Sequence, residues 1–358
     1  MATADVTVMG GGIFGLAIAW ECLGRGARVR VCERSRIGAG SSGGVVGALA
    51  PHVPENWNPK KAFQLASLLA AEAFWDGVAQ AGGGSPGYAR SGRVQPLADP
   101  RAVEIARARS AGARQFWGDA AEWRVVPALR DGWQGESGSG WIVEDTLSAR
   151  LCPRGALAAL AAAIRACGGE IALGTDAPGA SGPVIWATGV EGLAALSRDL
   201  GDSVGTGVKG QAALFACAAA GRPQLFDAGL HVVPHEDGTV AVGSTSERSY
   251  DDGETTDERL DAIVARARKV CPALAEAPVI GRWAGVRPRA RSRSPMLGPW
   301  PGRPGVFIAN GGFKIGFGIA PGVARAMADL VLEGRDTIPE GFGVEDNLEG
   351  RRTAGDGD

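Results

Sequence analysis

Apolar and polar positions fall into blocks along the chain, and the blocks change period. Asp5–Met9 is a short apolar run, Gly10–Gly12 is a glycine turn, and Ile13–Leu23 is apolar around most of its circumference. That order predicts a strand, a turn and a buried helix. Gly24 and Gly26 stop the helix, and Ala27–Glu33 reads as a second strand. Arg28 and Arg30 do not suit a parallel strand buried on both faces, so partial exposure is expected there. Helical patterns follow at Lys61–Gln80 and Pro100–Phe116, and the Gly- and Trp-rich segment Gly132–Trp141 precedes another at Pro153–Cys167. Pro183–Gly189 is an apolar strand running into a glycine. Residues 211–250 alternate apolar and polar with turn signals at Ala220–Gly221 and Asp237–Gly238, which predicts an antiparallel sheet. Asp257–Val270 reads as helix, Gly305–Ala309 as strand and Pro321–Leu332 as a closing helix. From Gly341 the chain is polar and Gly-rich, and a flexible tail is expected over 341–358.

A chain of 358 residues can bury a large core and divide into two domains. Its 37 basic and 39 acidic residues nearly balance, which argues against a nucleic-acid or membrane-surface partner. No run of about 18 apolar residues exists, so no membrane span is expected, and no basic segment with a cleavage motif opens the chain. The six cysteines are scattered, without a CxxC pair, and the three histidines are dispersed. Reduced thiols, a cytoplasmic location and no metal are therefore expected. Oligomeric state is left open.

Gly10–x–Gly12–x–x–Gly15 matches the dinucleotide fingerprint. Glycine is so abundant (56 residues) that the same spacing recurs from Gly38, Gly82 and Gly205. Spacing alone proves nothing, but only the first copy lies between an apolar strand and an apolar helix. There Gly10 permits the tight turn, Gly12 lets a pyrophosphate approach the backbone, and Gly15 lets helix pack on strand. The first helical residues, Ile13 and Phe14, present free amides and a positive dipole end. Glu33 ends the second strand, 33 − 15 = 18 residues after the last glycine, where an acid accepts hydrogen bonds from ribose hydroxyls and repels a ribose phosphate. Arg34 follows it.

From Cys32 the chain reads CERSRIGAGSSGGVVGALAPH and resembles the second flavin loop of the D-amino acid oxidase superfamily. Ser41 and Ser42 match its phosphate-contacting hydroxyls, and Gly47, Ala48 and Leu49 its segment beside the flavin ring. Further matches run in order: Val184–Gly189, which ends in Gly189, then Val208–Gln211 ("KGQ"), then Gly285–Pro288 ("GLRP"). Last comes Ala309–Gly316 with Ala320–Pro321, similar to the C-terminal flavin loop of glycine oxidases; Gly312, Phe313, Lys314, Ile315, Gly316 and Phe317 would bind cofactor there. The resemblance spans essentially residues 5–333 and implies an α/β fold. A Rossmann-type FAD-binding domain (1–52, 145–208 and 282–340) would interleave with a smaller α+β substrate domain (53–144 and 209–281) built on a mixed or antiparallel sheet. Two departures stand out. Glu170–Pro183 is short and lacks the usual long strand and hairpin, and Arg289, Arg291 and Arg293 follow the "GLRP" arginine.

The resemblance implies FAD held non-covalently, since Lys314 stands where sarcosine oxidases carry a flavin-linked cysteine. It implies oxidation of a small amino acid or secondary amine (glycine, sarcosine or D-amino acid type). Hydride would pass to flavin N5, and the imine would hydrolyse to a keto acid. Oxygen or another acceptor would reoxidise the flavin, and a D-amino acid dehydrogenase is the alternative. The cofactor does the hard chemistry, so the protein must orient the substrate. Arg287 is the expected carboxylate anchor, because a guanidinium binds bidentately. Lys314 is expected at the substrate or at the reduced flavin edge. His231 sits where these oxidases often place a substrate-facing tyrosine, His52 follows the flavin loop, and Trp283 is assigned no role.

Overall fold

The computed structural model describes residues 4–129, 131–179 and 182–348. Its elements run as follows: β1 (Val6–Met9), α1 (Ile13–Gly24), β2 (Val29–Glu33), β3 (Ala48–Leu49), α2 (Pro59–Gly82), β4 (Arg93–Pro96), α3 (Pro100–Trp117), β5 (Trp123–Pro127), β6 (Trp141–Asp145), β7 (Ala149–Arg150) and α4 (Pro153–Ala166). Then come β8 (Glu170–Leu173), β9 (Val184–Trp186), α5 (Gly189–Leu200), β10 (Gly205–Ala216), β11 (Gln224–Asp227), β12 (Leu230–Pro234) and β13 (Thr239–Gly243). The chain continues through α6 (Glu258–Val270), β14 (Val279–Ala290), β15 (Met296–Pro299), β16 (Val306–Asn310) and α7 (Gly316–Glu333).

Two large sheets organise these elements. The first has the order β15-β16-β9-β1-β2-β8 and is parallel except where β15 meets β16. β1 lies at the topological switch point, with β2 on one side and β9 on the other, where α/β sheets bind their ligands. The second has the order β14-β10-β13-β12-β11-β4-β6-β5 and is antiparallel except where β11 meets β4. This is the expected α/β combination of a Rossmann-type sheet with a mixed sheet.

The apolar circumference of α1 is explained by its surroundings: Ile13–Ala19 and Cys22 are buried, and α7, α4 and the parallel sheet pack around it. α2 packs on α7 and α4 through Leu68, Ala71, Trp75 and Val78. Arg30 in β2 and Arg28 just before it lie where partial exposure was expected. Arg30 reaches Glu170 on the edge strand β8, and Arg28 pairs with Asp5. A strand does exist in the short Glu170–Pro183 stretch, but it has only four residues; residues 180 and 181 lie outside the described residues.

Two expectations need correction. α7 begins at Gly316, and Pro321 lies inside it. Proline favours a first turn, so the pattern placed the start too late. The segment from Gly341 was expected to be a flexible tail, yet Phe342 and Val344 are buried and the Phe342 carbonyl accepts a hydrogen bond from Leu297 N. Asn347, fully buried, accepts from Ser292 N and donates to the Gly343 carbonyl. Isolated apolar residues in a polar stretch carry no period, so the pattern could not reveal this anchor. Residues 349–358 of the expected tail lie outside the described residues.

Candidate functional site

A cleft of about 1280 Å³ runs from the β1–α1 turn to the face of the second sheet. It exceeds the roughly 300–1,000 Å³ of an ordinary small-molecule site, so it has room for a dinucleotide and a substrate together. At one end Gly10 takes φ +109°, and a Cβ there would stand 2.5 Å from the Ala187 carbonyl oxygen. Gly15 lies behind the cleft wall, where a Cβ would meet the Gly10 oxygen at 2.0 Å, so its role is helix–strand packing. The N-cap of α1 is Gly12, no acid occupies the first turn, and Ile13 N donates to the Ser42 hydroxyl at 3.1 Å. Glu33 is fixed by two backbone amides: Gly11 N donates to Oε2 and Ser35 N to Oε1, each at 2.8 Å. Arg34 is exposed and paired with Glu191.

A positive helix end without a capping acid, beside a hydroxyl and a pre-oriented carboxylate, suits the pyrophosphate and ribose of a dinucleotide. Phe14, Ser41, Ala48, Leu49 and Gly189 line the same cleft, as do Gly312, Phe313, Ile315, Gly316 and Phe317 of the turn before and into α7. Gly47 does not. A Cβ there would stand 1.7 Å from the Leu151 carbonyl oxygen, and Gly47 O accepts from Leu151 N, so this glycine serves the packing of two backbones.

The other end holds the cations. β14 pairs with β10 so that Gly285 lies opposite Gly210 and Arg287 opposite Val208, which brings two distant motifs into one ladder. Arg287 is buried, and its guanidinium donates to the Ser244 hydroxyl at 2.6 Å and to the Thr245 carbonyl at 3.3 and 3.4 Å. Among the described residues no carboxylate pairs with it. Burial lowers its pKa to about 10, with the Glu247 charge opposing that shift. Lys314 lines the same region and is depressed by burial, then by Arg287 and Arg289. Two cations held together with no carboxylate bonded to either among the described residues form a ready anion site.

His231 on β12 also lines the cleft, tilted against Phe226 with ring centroids 4.7 Å apart. Burial, with Arg93 and Lys314 nearby, depresses its pKa to about 3, so the imidazole is neutral, and its Nδ1 is buried without a partner. His52 lines the wall too, held by Gln64 through its backbone amide and ring. None of Arg289, Arg291 and Arg293 lines the cleft: Arg291 pairs with Asp202, and Arg289 lies over the Phe313 ring. Trp283, given no role from sequence, does line it, with its ring edge against Gly44 and Gly285. Arg93 is a further lining residue that the sequence did not single out. It makes a buried ion pair with Asp145 at 2.8 Å, and nothing in a lone arginine on a short strand signals that.

Residues 5–330 match the family described as FAD dependent oxidoreductase. The chain belongs to that family. FAD is the cofactor of this oxidoreductase. Curated relatives agree with the motif resemblance. A glycine oxidase of Pseudomonas putida is 29% identical over 93% of this chain and 96% of its own length. One from Pseudomonas aeruginosa is 38% identical, but over 37% of this chain and 36% of its own length. Among solved structures, glycine oxidase from Geobacillus kaustophilus superposes with a TM-score of 0.82 at 21% identity, covering 98% of this chain and 99% of its own. L-proline dehydrogenase from P. horikoshii gives 0.79 at 21%, covering 96% and 97%. These last two likenesses establish the fold alone. Among the described residues no helix is long and apolar enough to cross a membrane.

Proposed function

We propose that this FAD-dependent oxidoreductase oxidises a small amino acid or secondary amine, and that Arg287 binds the substrate carboxylate. The observation that carries this reading is the buried Arg287 guanidinium in the cleft, with Lys314 beside it and no carboxylate partner among the described residues. A buried charge without a counter-ion is costly unless its function supplies one, and a substrate carboxylate is that counter-ion.

When bound, FAD supplies the acceptor for the hydride that leaves the C–H bond beside the substrate nitrogen. The chain's own part is orientation. The α1 N-terminus, Ser42 and Glu33 hold the dinucleotide; Arg287 fixes the carboxylate through its free guanidinium edge; Lys314 adds a point charge. His231, neutral and lining the cleft, presents its ring to the substrate's polar end. Phe226, Trp283 and Val46 add apolar surface to the cleft wall. The relatives named glycine oxidase favour glycine as substrate and oxygen as acceptor over the dehydrogenase alternative, with sarcosine and D-amino acids resting on the motif resemblance.

The deciding experiment is anaerobic bleaching of the bound flavin by a panel of glycine, sarcosine, D-alanine, D-proline and the carboxylate-free amines methylamine and pyrrolidine. Bleaching by the amino acids only is expected; equal bleaching by the plain amines would overturn the anchor. Reoxidation by air or by an added quinone then separates oxidase from dehydrogenase.

A further inference from the structure

At the far end of the second sheet, outside the cleft, three potential ligands converge. Cys152 caps the N-terminus of α4, and His235 and Asp237 lie in the turn joining β12 to β13. One ligand atom from each lies within 4.8 Å of the other two. The thiol is free, and none of the three residues lines the cofactor cleft.

The hydrogen bonds leave these ligands in a metal-binding form. Asp237 Oδ1 accepts from Thr239 N at 3.0 Å and from the Thr239 hydroxyl at 2.7 Å, which leaves Oδ2 over. Thr239 has one hydroxyl proton, and Asp237 takes it. The 3.2 Å contact between Thr239 Oγ1 and His235 Nδ1 must therefore be donated by the imidazole. That fixes the tautomer with the proton on Nδ1 and a bare lone pair on Nε2. His235 is only 2% exposed, and its Nε2 has no partner. A buried, unpartnered acceptor nitrogen beside a thiol and a carboxylate lacks one thing, a cation.

We propose that Cys152, His235 and Asp237 bind a divalent transition metal of the zinc type, with water in the fourth position. Thiolate and imidazole select a borderline-soft ion over magnesium or calcium. Binding releases the Cys152 proton to solvent and forms metal–sulfur, metal–nitrogen and metal–oxygen bonds with no change of oxidation state. Charge balances: the thiolate, Asp237 and the adjacent Glu236, which accepts from Ser85 Oγ at 2.5 Å, face the buried Arg150 guanidinium and the ion. The three ligand atoms, up to 4.8 Å apart, must draw together for tetrahedral bonds of about 2.0–2.3 Å, and the exposed Asp237, whose Oδ2 is left over, is the residue best placed to move inward. The role is structural. The ion ties the hairpin of β12, the strand carrying His231, to the helix that packs on α1.

The test uses the FAD-loaded protein, stripped with a chelator, reloaded with zinc chloride alone and desalted. One zinc per chain is expected, with a higher melting temperature than the stripped protein. Cobalt chloride in place of zinc should give tetrahedral d–d bands at longer wavelength than flavin absorbs. Cys152→Ser and His235→Gln should each weaken metal binding at least tenfold, while Cys167→Ser, the exposed thiol elsewhere, leaves it intact. Metal content well below one per chain overturns the proposal, as does a cobalt spectrum unchanged in Cys152→Ser. Metal loss counts only in a variant that keeps its FAD, which separates a lost ligand from a folding defect, and wild-type binding alone can sink the proposal.

Discussion

The Arg287 guanidinium lies across the bare backbone of Gly210 on the neighbouring strand. A Cβ at position 210 would stand 1.7 Å from Nη2 and 2.2 Å from Cζ. In the β10–β14 ladder Gly210 faces Gly285, two residues from Arg287, so the side chain runs along the sheet instead of standing off it. The glycine of one motif thus makes room for the arginine of the other. Gly210→Ala should push the guanidinium off Ser244 and Thr245, at a stability cost of about 1–3 kcal/mol for overpacking. Acetate, as a carboxylate probe, should bind at least tenfold more weakly with FAD content unchanged. Acetate affinity equal to wild type, measured by flavin spectral titration, would show that the packing does not set the arginine's position.

Arg287→Ala removes charge and fork together. Losing one side of a buried, hydrogen-bonded charge pair costs about 2–5 kcal/mol, or roughly 30-fold to several-thousand-fold in affinity. Arg287→Lys should recover only part of this, because an ammonium keeps the charge without the bidentate grip. The check is kcat/KM for an amino acid beside that for a plain amine. Equal losses for both substrates would remove Arg287 from the carboxylate.

The βαβ start was legible because Ile13–Leu23 is apolar all round and two strands flank it, and the structure buries that helix in the core. The motif order then indicated the cleft, since Arg287, Lys314 and His231 all line it. What stayed hidden depends on three-dimensional proximity. Gly47 looked like a cofactor glycine, but the backbone it makes room for, Leu151, is remote in sequence. Trp283 looked like any core tryptophan until the β10–β14 register carried it to the cleft wall. Cys152 and His235 had no metal-ligand spacing because they belong to different layers of the fold.

Glu33 receives amides from Gly11 and Ser35, which orients its remaining lone pairs toward the cleft. Glu33→Arg replaces an acceptor by donors that the ribose hydroxyls cannot use well. Losing one charge-assisted hydrogen bond costs about 1.5–3 kcal/mol, or roughly tenfold to hundredfold in FAD affinity. Titration of the apo-protein with FAD measures this directly, and an unchanged dissociation constant would place the ribose elsewhere.

His231 should make the protein acid-sensitive. Its pKa falls from 6.5 to about 3 through burial and the charges of Arg93 and Lys314. Between those values the unfolded chain holds the proton and the folded chain does not, so stability rises with pH across the window and is lost as pH falls. One such group contributes a slope of up to about 1.4 kcal/mol per pH unit. Urea unfolding of the FAD-loaded protein at pH 7 and pH 5 should show His231→Gln losing less stability than wild type on acidification. Equal losses would mean the imidazole takes up its proton as readily in the fold as in the unfolded chain.

Glu247 is the acid that Arg287 feels most, and it acts through Thr245. The Thr245 hydroxyl donates to Glu247 while the Thr245 carbonyl accepts from Arg287. Gln211 donates to Glu247 at 3.0 Å and Arg259 at 2.8 Å, and together with Thr245 these bonds outweigh burial and keep the carboxylate ionised. Glu247 is thus a positioning residue that supports the charge of Arg287 without touching the substrate. Burial brings the Arg287 pKa down to about 10, so the guanidinium holds its proton less firmly as pH approaches that value. Acetate, whose own charge is constant there, should then bind more weakly as pH rises. Glu247→Gln keeps most of the hydrogen bonds but removes the supporting charge, so the decline should begin at lower pH while affinity at pH 7 changes little. A merely structural Glu247 would instead lower affinity equally at every pH. A profile of the mutant parallel to the wild type would therefore reject the electrostatic link between Glu247 and Arg287.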